Sequence, residues 1–293
     1  MTVGAIEAGG TKVVCAVRDA AGRERARASV RTTTPEATVA EVVRFFGPHA
    51  LRAVGLASFG PLELDPRAGD GYGALLATPK PGWTGFALRA SLERALGAPV
   101  RVDTDVNAAA LAEQALGAGR GSDPFVYVTV GTGVGGGAIV RGVALHGLVH
   151  PEMGHVPMPR LALADGAPDP FEGACPFHGR CLEGLVSGPA VARRTGTHAH
   201  DLRDDDPVWD LVARYLGLGL ATITLVLSPE RIVIGGGVMR RAGLLARVRR
   251  ALVGALAGYV PRDVIATDEF LVAPALGADA GLEGAFLLAS REI

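Results

Sequence analysis

The chain has 293 residues, 48% of them hydrophobic, enough for a full core and, at this length, for two ordinary domains. A formal net charge of −1 gives no basic field for nucleic acid and no acidic tail, so a small-molecule partner is expected and nucleic acid is not. Three cysteines are too few for a disulfide framework. Met1 leads almost at once into Gly4-Ala5-Ile6 without the charged and apolar regions of a secretory signal. The apolar run 216–227 reads as too short and glycine-interrupted for a membrane span, and Ser228-Pro229 stops it. A cytoplasmic protein without a membrane segment is the expectation. Lys12 and Lys80 are the only lysines, arginine supplying every other basic residue. Coding bias is the bland cause, and Lys80 has a plain reading as a turn residue. Both nevertheless stand in distinctive motifs, Gly-Gly-Thr-Lys and Thr-Pro-Lys-Pro-Gly-Trp.

In chain order, Val3 and Ala5, then Val13, Cys15 and Val17, alternate around Gly9-Gly10 and predict a hairpin that opens a sheet. Thr34-Pro35-Glu36 starts an amphipathic helix to about Phe46, and 53–57 reads as a short strand. The Gly- and Pro-rich stretch 60–85 reads as a long loop. A helix over 86–96, a strand over 100–102 and an alanine-rich buried helix over 107–116 follow. A second glycine hairpin, with strands over 125–130 and 137–141, repeats the first roughly 120 residues later, a spacing of about one domain. Beyond it come a helix from about Pro189, a long helix over 207–227, a strand over 231–234, a glycine triplet at 235–237, a helix over 243–257 and a last helix over 275–290. The alternation implies an α/β protein with mixed sheets.

Three glycine clusters end strands. Gly9-Gly10-Thr11-Lys12 and Gly131-Thr132-Gly133 sit in hairpin turns, where backbone N–H groups can approach an anion and a hydroxyl or ammonium can complete the cradle. Each taken alone is equally an ordinary tight hairpin, and neither is a Walker A loop. Gly235-Gly236-Gly237-Val238-Met239 lies between a strand and a helix, where close approach and a helix N-terminus favour phosphate or a flat ring. The three together favour a nucleotide site. In Val102-Asp103-Thr104-Asp105, alternation on a strand over 100–105 sets Asp103 and Asp105 opposite Val100 and Val102. Asp105 is a candidate general base, with a helix N-cap as the rival role. Cys175, His178 and Cys181 form a C-x2-H-x2-C triplet that favours structural zinc over a thiol pair or a local disulfide. A fourth ligand must come from His146, His150 or His155.

These motifs, with His150-Pro151-Glu152-Met153-Gly154-His155, occur in the order found in ROK-family sugar kinases, and the chain most resembles their bacterial fructokinases. The resemblance covers residues 4 to about 240. It implies the actin-like ATPase fold: two ribonuclease H-like α/β domains with ATP and sugar in the cleft between them. The N-terminal domain is expected over 1–117, joined by the C-terminal helix 275–293, and the C-terminal domain over 118–274. By resemblance, Asp105 is the catalytic base, and Gly9, Gly10, Thr11, Lys12, Gly131, Thr132 and Gly133 form the two phosphate loops. Pro189, Gly236, Gly237, Val238, Met239 and Arg240 complete the ATP site, while Glu152 and Asn107 join Asp105 on the sugar. His155 becomes the fourth zinc ligand beside Cys175, His178 and Cys181. The implied partners are ATP with Mg2+ and a hexose, and a homodimer is a family expectation. Thr104-Asp105 in place of Asn-Asp, and C-x2-H-x2-C in place of a C-x-C-G-x-x-G-C loop, lean towards D-fructose over glucose or mannose. A sugar-responsive regulator of the same fold needs a DNA-binding segment before the sugar domain, and a first strand from about Val3 is expected to leave no room for one.

Overall fold

The computed structural model describes residues 2–260 and 263–290. In chain order its strands and α-helices are β1 (Thr2–Ala8), β2 (Lys12–Arg18), β3 (Glu24–Arg31), α1 (Pro35–Phe46), β4 (Leu51–Ser58), α2 (Leu88–Leu96), β5 (Val100–Thr104), α3 (Asp105–Leu116), β6 (Phe125–Val130), β7 (Val134–Val140) and β8 (Val143–Ala144). They continue as α4 (Leu182–Val186), α5 (Gly188–Thr195), α6 (Val208–Leu227), β9 (Arg231–Gly235), α7 (Leu244–Leu256), β10 (Leu271–Val272) and α8 (Ala280–Ser290). The chain divides into two compact units. One comprises the described parts of Met1–Leu116, Gly142–Pro151 and Leu276–Ile293, and the other Gly117–Arg141 and Glu152–Ala275. The strap Gly142–Pro151 thus groups with the first unit, although its sequence neighbours on both sides belong to the second. Residues 291–293 of the expected C-terminal segment lie outside the described residues.

The first unit is built on a sheet of order β3-β2-β1-β4-β5. β1 and β2 pair antiparallel around the glycine turn, with Ala8 opposite Val13, while β4 runs parallel to both β1 and β5. Alternation along β2 sends Val13, Cys15 and Val17 into a core that includes Ile6, Phe46, Leu56 and Trp83. The Thr34 hydroxyl accepts from the Ala37 N–H and Pro35 occupies the first turn, so α1 starts where its cap dictates. α8 packs on α3 and β4. It is tied there by the Arg18–Glu283 ion pair and by Arg101 Nη1, which donates to the Ala289 carbonyl at 2.8 Å.

Within the second unit the strands lie in the order β10-β9-β6-β7, with β6 and β7 antiparallel and β6, β9 and β10 parallel. Both units therefore pair an antiparallel glycine hairpin with parallel strands, the mixed α/β plan expected from the alternation. α6 spans 20 residues and is long and apolar enough, by length and composition, to cross a membrane, which corrects the reading of its run as too short. Much of its apolar surface is buried, including Trp209, Val212, Leu216 and Leu220, and the helix packs on α7 and α4, while Leu225 and Val226 near its end are exposed. The strand alternation proposed over 100–105 ends one residue early, since Asp105 opens α3 and Asp103 is buried in β5.

Candidate active site

The turn between β1 and β2 has every carbonyl engaged. Gly9 O accepts from the Thr32 hydroxyl at 2.8 Å, Gly10 O from Lys80 Nζ at 2.5 Å, Thr11 O from the Thr32 N–H at 3.0 Å and Lys12 O from the Gly9 N–H at 2.9 Å. Donors from two other segments hold the carbonyl side of the turn, while Gly10, Thr11 and Lys12 are exposed. This arrangement suits an anion cradle. Glu7, which sequence reading passed over, lies on β1 just before the turn. Burial raises its carboxyl above the usual range, and the Lys12 ammonium opposes that shift.

At the start of α3 the cap and the candidate base are different residues. The Thr104 hydroxyl accepts from the Asn107 N–H at 3.1 Å, the geometry of an N-cap, whereas Asp105 Oδ1 accepts from the adjacent Val106 N–H at 2.9 Å. The cap therefore belongs to Thr104, and the Asp105 carboxylate sits in the first helical turn, where the helix dipole favours negative charge. Asp103, also missed, organises this segment from β5. Its Oδ1 accepts from the Thr104 N–H and from Asn107 Nδ2, both at 2.7 Å, and its Oδ2 lies 3.0 Å from His146 Nε2. Hydrogen bonding to Asp103 raises His146 above the ordinary histidine value against the opposing effect of burial. Asn107 is 1% exposed and its Oδ1 is buried without a hydrogen-bond partner among the described residues. Two histidines of the strap Gly142–Pro151 thus serve the first unit, because His150 Nε2 also accepts from the Leu62 N–H at 3.2 Å. Burial lowers His150, in keeping with a neutral ring that accepts that bond.

In the second unit, three separated segments line one cavity of about 1070 Å3, at the upper end of the range for small-molecule sites. Gly131 and Thr132, Gly188 and Pro189, and Gly237, Val238 and Arg240 all lie on its wall. The Gly188 N–H donates to the Gly131 carbonyl at 2.8 Å, docking the start of α5 on the turn, and the Ser187 hydroxyl caps α5. Gly133, Gly236 and Met239 sit off the wall. Gly236 has φ of +95° and a Cβ there would lie 2.4 Å from the Val130 carbonyl oxygen, so only glycine lets β9 exit over the end of β6. The far wall was not legible as a site. His198 and His200 stack with ring centroids 5.5 Å apart, and Arg241 lies over Trp209 at 4.9 Å while pairing with Asp204 at 2.7 Å. Flat surfaces next to basic groups suit a nucleotide.

Glu152 follows the strap and precedes a short 3-10 turn, Met153–His155. Burial raises its carboxyl, and the Glu183 charge raises it further. Glu183, absent from the sequence reading, accepts from the Val134 N–H at 2.9 Å and so links α4 to the start of β7. A Cβ on Gly154 would stand 1.9 Å from the Val134 carbonyl oxygen, so the turn that carries Glu152 and His155 is pressed directly onto that strand.

His155, Cys175, His178 and Cys181 converge, their ligand atoms all within 4.8 Å of one another. His155 Nδ1 and His178 Nδ1 are 3.3 Å apart, and nitrogen–sulfur separations are 3.5 Å to Cys181 and 3.7 Å from each histidine to Cys175. Zinc–nitrogen bonds of about 2.05 Å and zinc–sulfur bonds of about 2.3 Å at the tetrahedral angle give edges of about 3.3 Å and about 3.6 Å. The donor set fits zinc in both chemistry and size. Both cysteines are free thiols, and Cys181 Sγ also accepts from the Gly184 N–H at the start of α4. Of the three upstream histidines, His155 joins the cluster, while His146 and His150 are engaged elsewhere. Behind the loop, buried Asp169 accepts two bonds from Arg194, at 2.6 and 2.9 Å, and one from the Tyr215 hydroxyl at 2.8 Å.

A family model described as the ROK family matches residues 3–292. A fructokinase of Zymomonas mobilis is 42% identical over 98% of this chain and 95% of its own, and one of Pediococcus pentosaceus is 39% identical over 100% and 99%. The crystal structure of a ROK family glucokinase from Streptomyces griseus, in complex with glucose and AMPPNP, covers all of both chains with a TM-score of 0.76 at 28% identity. The two mixed sheets are those of the actin-like ATPase fold. With its glycine turns, its Asp105 segment and its His/Cys cluster all inside the matched region, this chain belongs to the ROK family.

Proposed function

We propose that this chain is an ATP-dependent sugar kinase of the cytoplasm that converts D-fructose to fructose 6-phosphate. The observation that carries the choice of sugar is identity near 40%, end to end, with relatives named as fructokinases. Thr104-Asp105 and the C-x2-H-x2-C spacing lean the same way. Asp105 accepts the proton of the 6-hydroxyl as its oxygen attacks the γ-phosphorus of MgATP. The bond from that phosphorus to the β,γ-bridging oxygen breaks, and ADP leaves. Thr104 holds the cap, so that role does not fall to Asp105, and Asp103 and Asn107 bond Thr104 on the backbone beside it.

Gly9 to Lys12 and Gly131 to Gly133 cradle phosphate, and Pro189 with Gly237 to Arg240 holds the nucleotide. Glu152 accepts from sugar hydroxyls. His155, Cys175, His178 and Cys181 hold a structural zinc ion that ties the Glu152 turn to the cysteine loop. The second reading, a glucose- or mannose-preferring hexokinase, draws on the glucokinase likeness at 28% identity. Both readings are tested by coupled ADP release across fructose, mannose and glucose. Fructose should give the highest kcat/KM, and Asp105→Asn should abolish turnover while sparing ATP binding. A variant that turns over normally would remove Asp105 from the role of base.

A further inference from the structure

The chain carries 29 lysines and arginines, of which only Lys12 and Lys80 are lysines. Where coding pressure has made almost every other basic residue arginine, a surviving lysine marks a place that a guanidinium does not fill equally well. The two survivors are 68 positions apart in sequence, yet Lys80 reaches the turn that contains Lys12: its Nζ donates to the Gly10 carbonyl at 2.5 Å.

The loop that presents Lys80 is built to hold it there. The Thr84 hydroxyl closes the loop, accepting from the Thr78 N–H and donating to the Thr78 carbonyl, both at 3.2 Å. The Trp83 N–H donates to the Lys80 carbonyl at 3.2 Å. Trp83 is fully buried and its Nε1–H donates to the Thr33 carbonyl at 2.9 Å, one residue beyond the Thr32 that holds the Gly9 and Thr11 carbonyls. The glycine turn and the Lys80 loop are thus braced against the same short segment. Many arginines of this chain are neutralised by a carboxylate, as in Arg18–Glu283, Arg194–Asp169 and Arg241–Asp204. Among the described residues, Lys80 pairs with a backbone carbonyl and with no carboxylate.

We propose that Lys80 is a second cation of the Gly9–Lys12 phosphate turn, its ammonium pinned by Gly10 O and neutralising the phosphoryl group as it passes to the sugar. An ammonium has three donors on one compact point, so it can keep the carbonyl bond and still offer protons to phosphate oxygens. A planar guanidinium at the same carbonyl would place its charge farther out. Lys80 exchanges no proton: the new O–P bond forms, the old one breaks, and the hydroxyl proton goes to Asp105 as described above. The inference rests on reading Gly9 to Lys12 as a phosphate turn.

The test is steady-state ADP release by the full chain with MgATP and fructose. Lys80→Ala should lower kcat about 100-fold, the loss typical of one oriented donor to a transition-state charge, with KM for fructose within about twofold of the parent. Added methylammonium should restore the Lys80→Ala enzyme in a saturable manner and leave the parent unchanged. Lys80→Arg should stay at least about tenfold below the parent, because the two cations differ in shape. The proposal is overturned if Lys80→Ala keeps kcat within about threefold, if Lys80→Arg equals the parent, or if methylammonium rescues nothing. The last outcome would leave Lys80 as a brace of the turn only. Lys12→Ala separates the two layers of reading. A loss there with Lys80→Ala at the parent's level sinks the Lys80 inference alone, and parent activity in both sinks the phosphate-turn reading itself.

Discussion

If the His155, Cys175, His178 and Cys181 cluster holds zinc as proposed, removing the ion should cost the second unit stability and sugar affinity together. Four of the donor separations, 3.3 Å between the nitrogens, 3.5 Å from His155 to Cys181 and 3.7 Å from each histidine to Cys175, match the edges of a zinc tetrahedron, and all four donor atoms lie within 4.8 Å of one another. The cysteine loop retains other ties without the ion, including the Met158 N–H to Arg180 carbonyl bond at 3.1 Å and the Leu182 N–H to Val156 carbonyl bond at 3.0 Å. The loss should therefore be partial unfolding resistance and not collapse. Free zinc at a hundred times its Kd contributes about 2.7 kcal/mol. For a unit of roughly 150 residues, about 2 to 4 °C per kcal/mol makes that a fall in Tm of about 5 to 11 °C on chelation. His155 N–H donates to the Glu152 carbonyl at 2.9 Å, so the same treatment should raise the KM for sugar more than that for ATP. Calorimetry with and without chelator, zinc content by mass spectrometry, and paired KM measurements check this. Metal-free protein as purified, with Cys175→Ser unchanged in Tm and KM, would refute the reasoning.

Other perturbations read different parts of the structure. Asp169→Ala leaves Arg194, whose side chain is only 13% exposed, without its counter-charge; a loss of about 3 to 5 kcal/mol in urea unfolding is expected, and a loss below about 1 kcal/mol would contradict the network. Thr104→Ala should cost about 1 kcal/mol through the lost cap and lower kcat as the Asp105 turn loosens, with Thr104→Ser near normal in both. Gly154→Ala drives a methyl group into the Val134 carbonyl and should yield little folded protein; soluble expression at the parent's level would contradict that contact. His146 binds its proton more tightly when folded, because of Asp103. Its stabilising effect is therefore complete below the unfolded value of about 6.5 and fades as pH rises through the higher folded value. The Tm gap between the parent and His146→Gln should narrow as pH rises above about 6.5, and a constant gap would count against the pair.

Local pattern revealed most elements and only part of the site. Alternation around Gly9-Gly10 and the Thr34-Pro35 start gave β1, β2 and α1 because those signals lie within a few residues of what they specify. β3 escaped: its sequence Glu-Arg-Ala-Arg-Ala-Ser-Val-Arg alternates, but its inward positions are mostly alanine and only half-buried, a weak signal for an edge strand. α4, at five residues, is too short to show a period. One residue moved the cap, since a strand ending at Thr104 hands it to that residue and not to Asp105. The network around it was not legible, because Asp103 is completed by His146, 43 positions away. The same holds for Lys80 and Gly10, 70 apart, and for Glu183 and Val134, 49 apart. The C-x2-H-x2-C triplet was legible from spacing, but which upstream histidine lies beside it needed either resemblance or coordinates.

The position of α8 has a consequence for the order in which the protein can be made. Most of the first unit precedes the second in the chain, yet α8, which covers α3 and β4, follows the whole of the second unit. The Leu276 N–H must reach a carboxylate oxygen of Glu113 at 2.8 Å, and Arg18 must wait for Glu283. A nascent chain therefore holds an uncovered β4 from Ser58 until α8 begins at Ala280, and the later unit has all its strands before the earlier one has its last helix. Translation that stalls after Ala275 would release a chain with the whole second unit but with a first-unit sheet that still lacks its last helix.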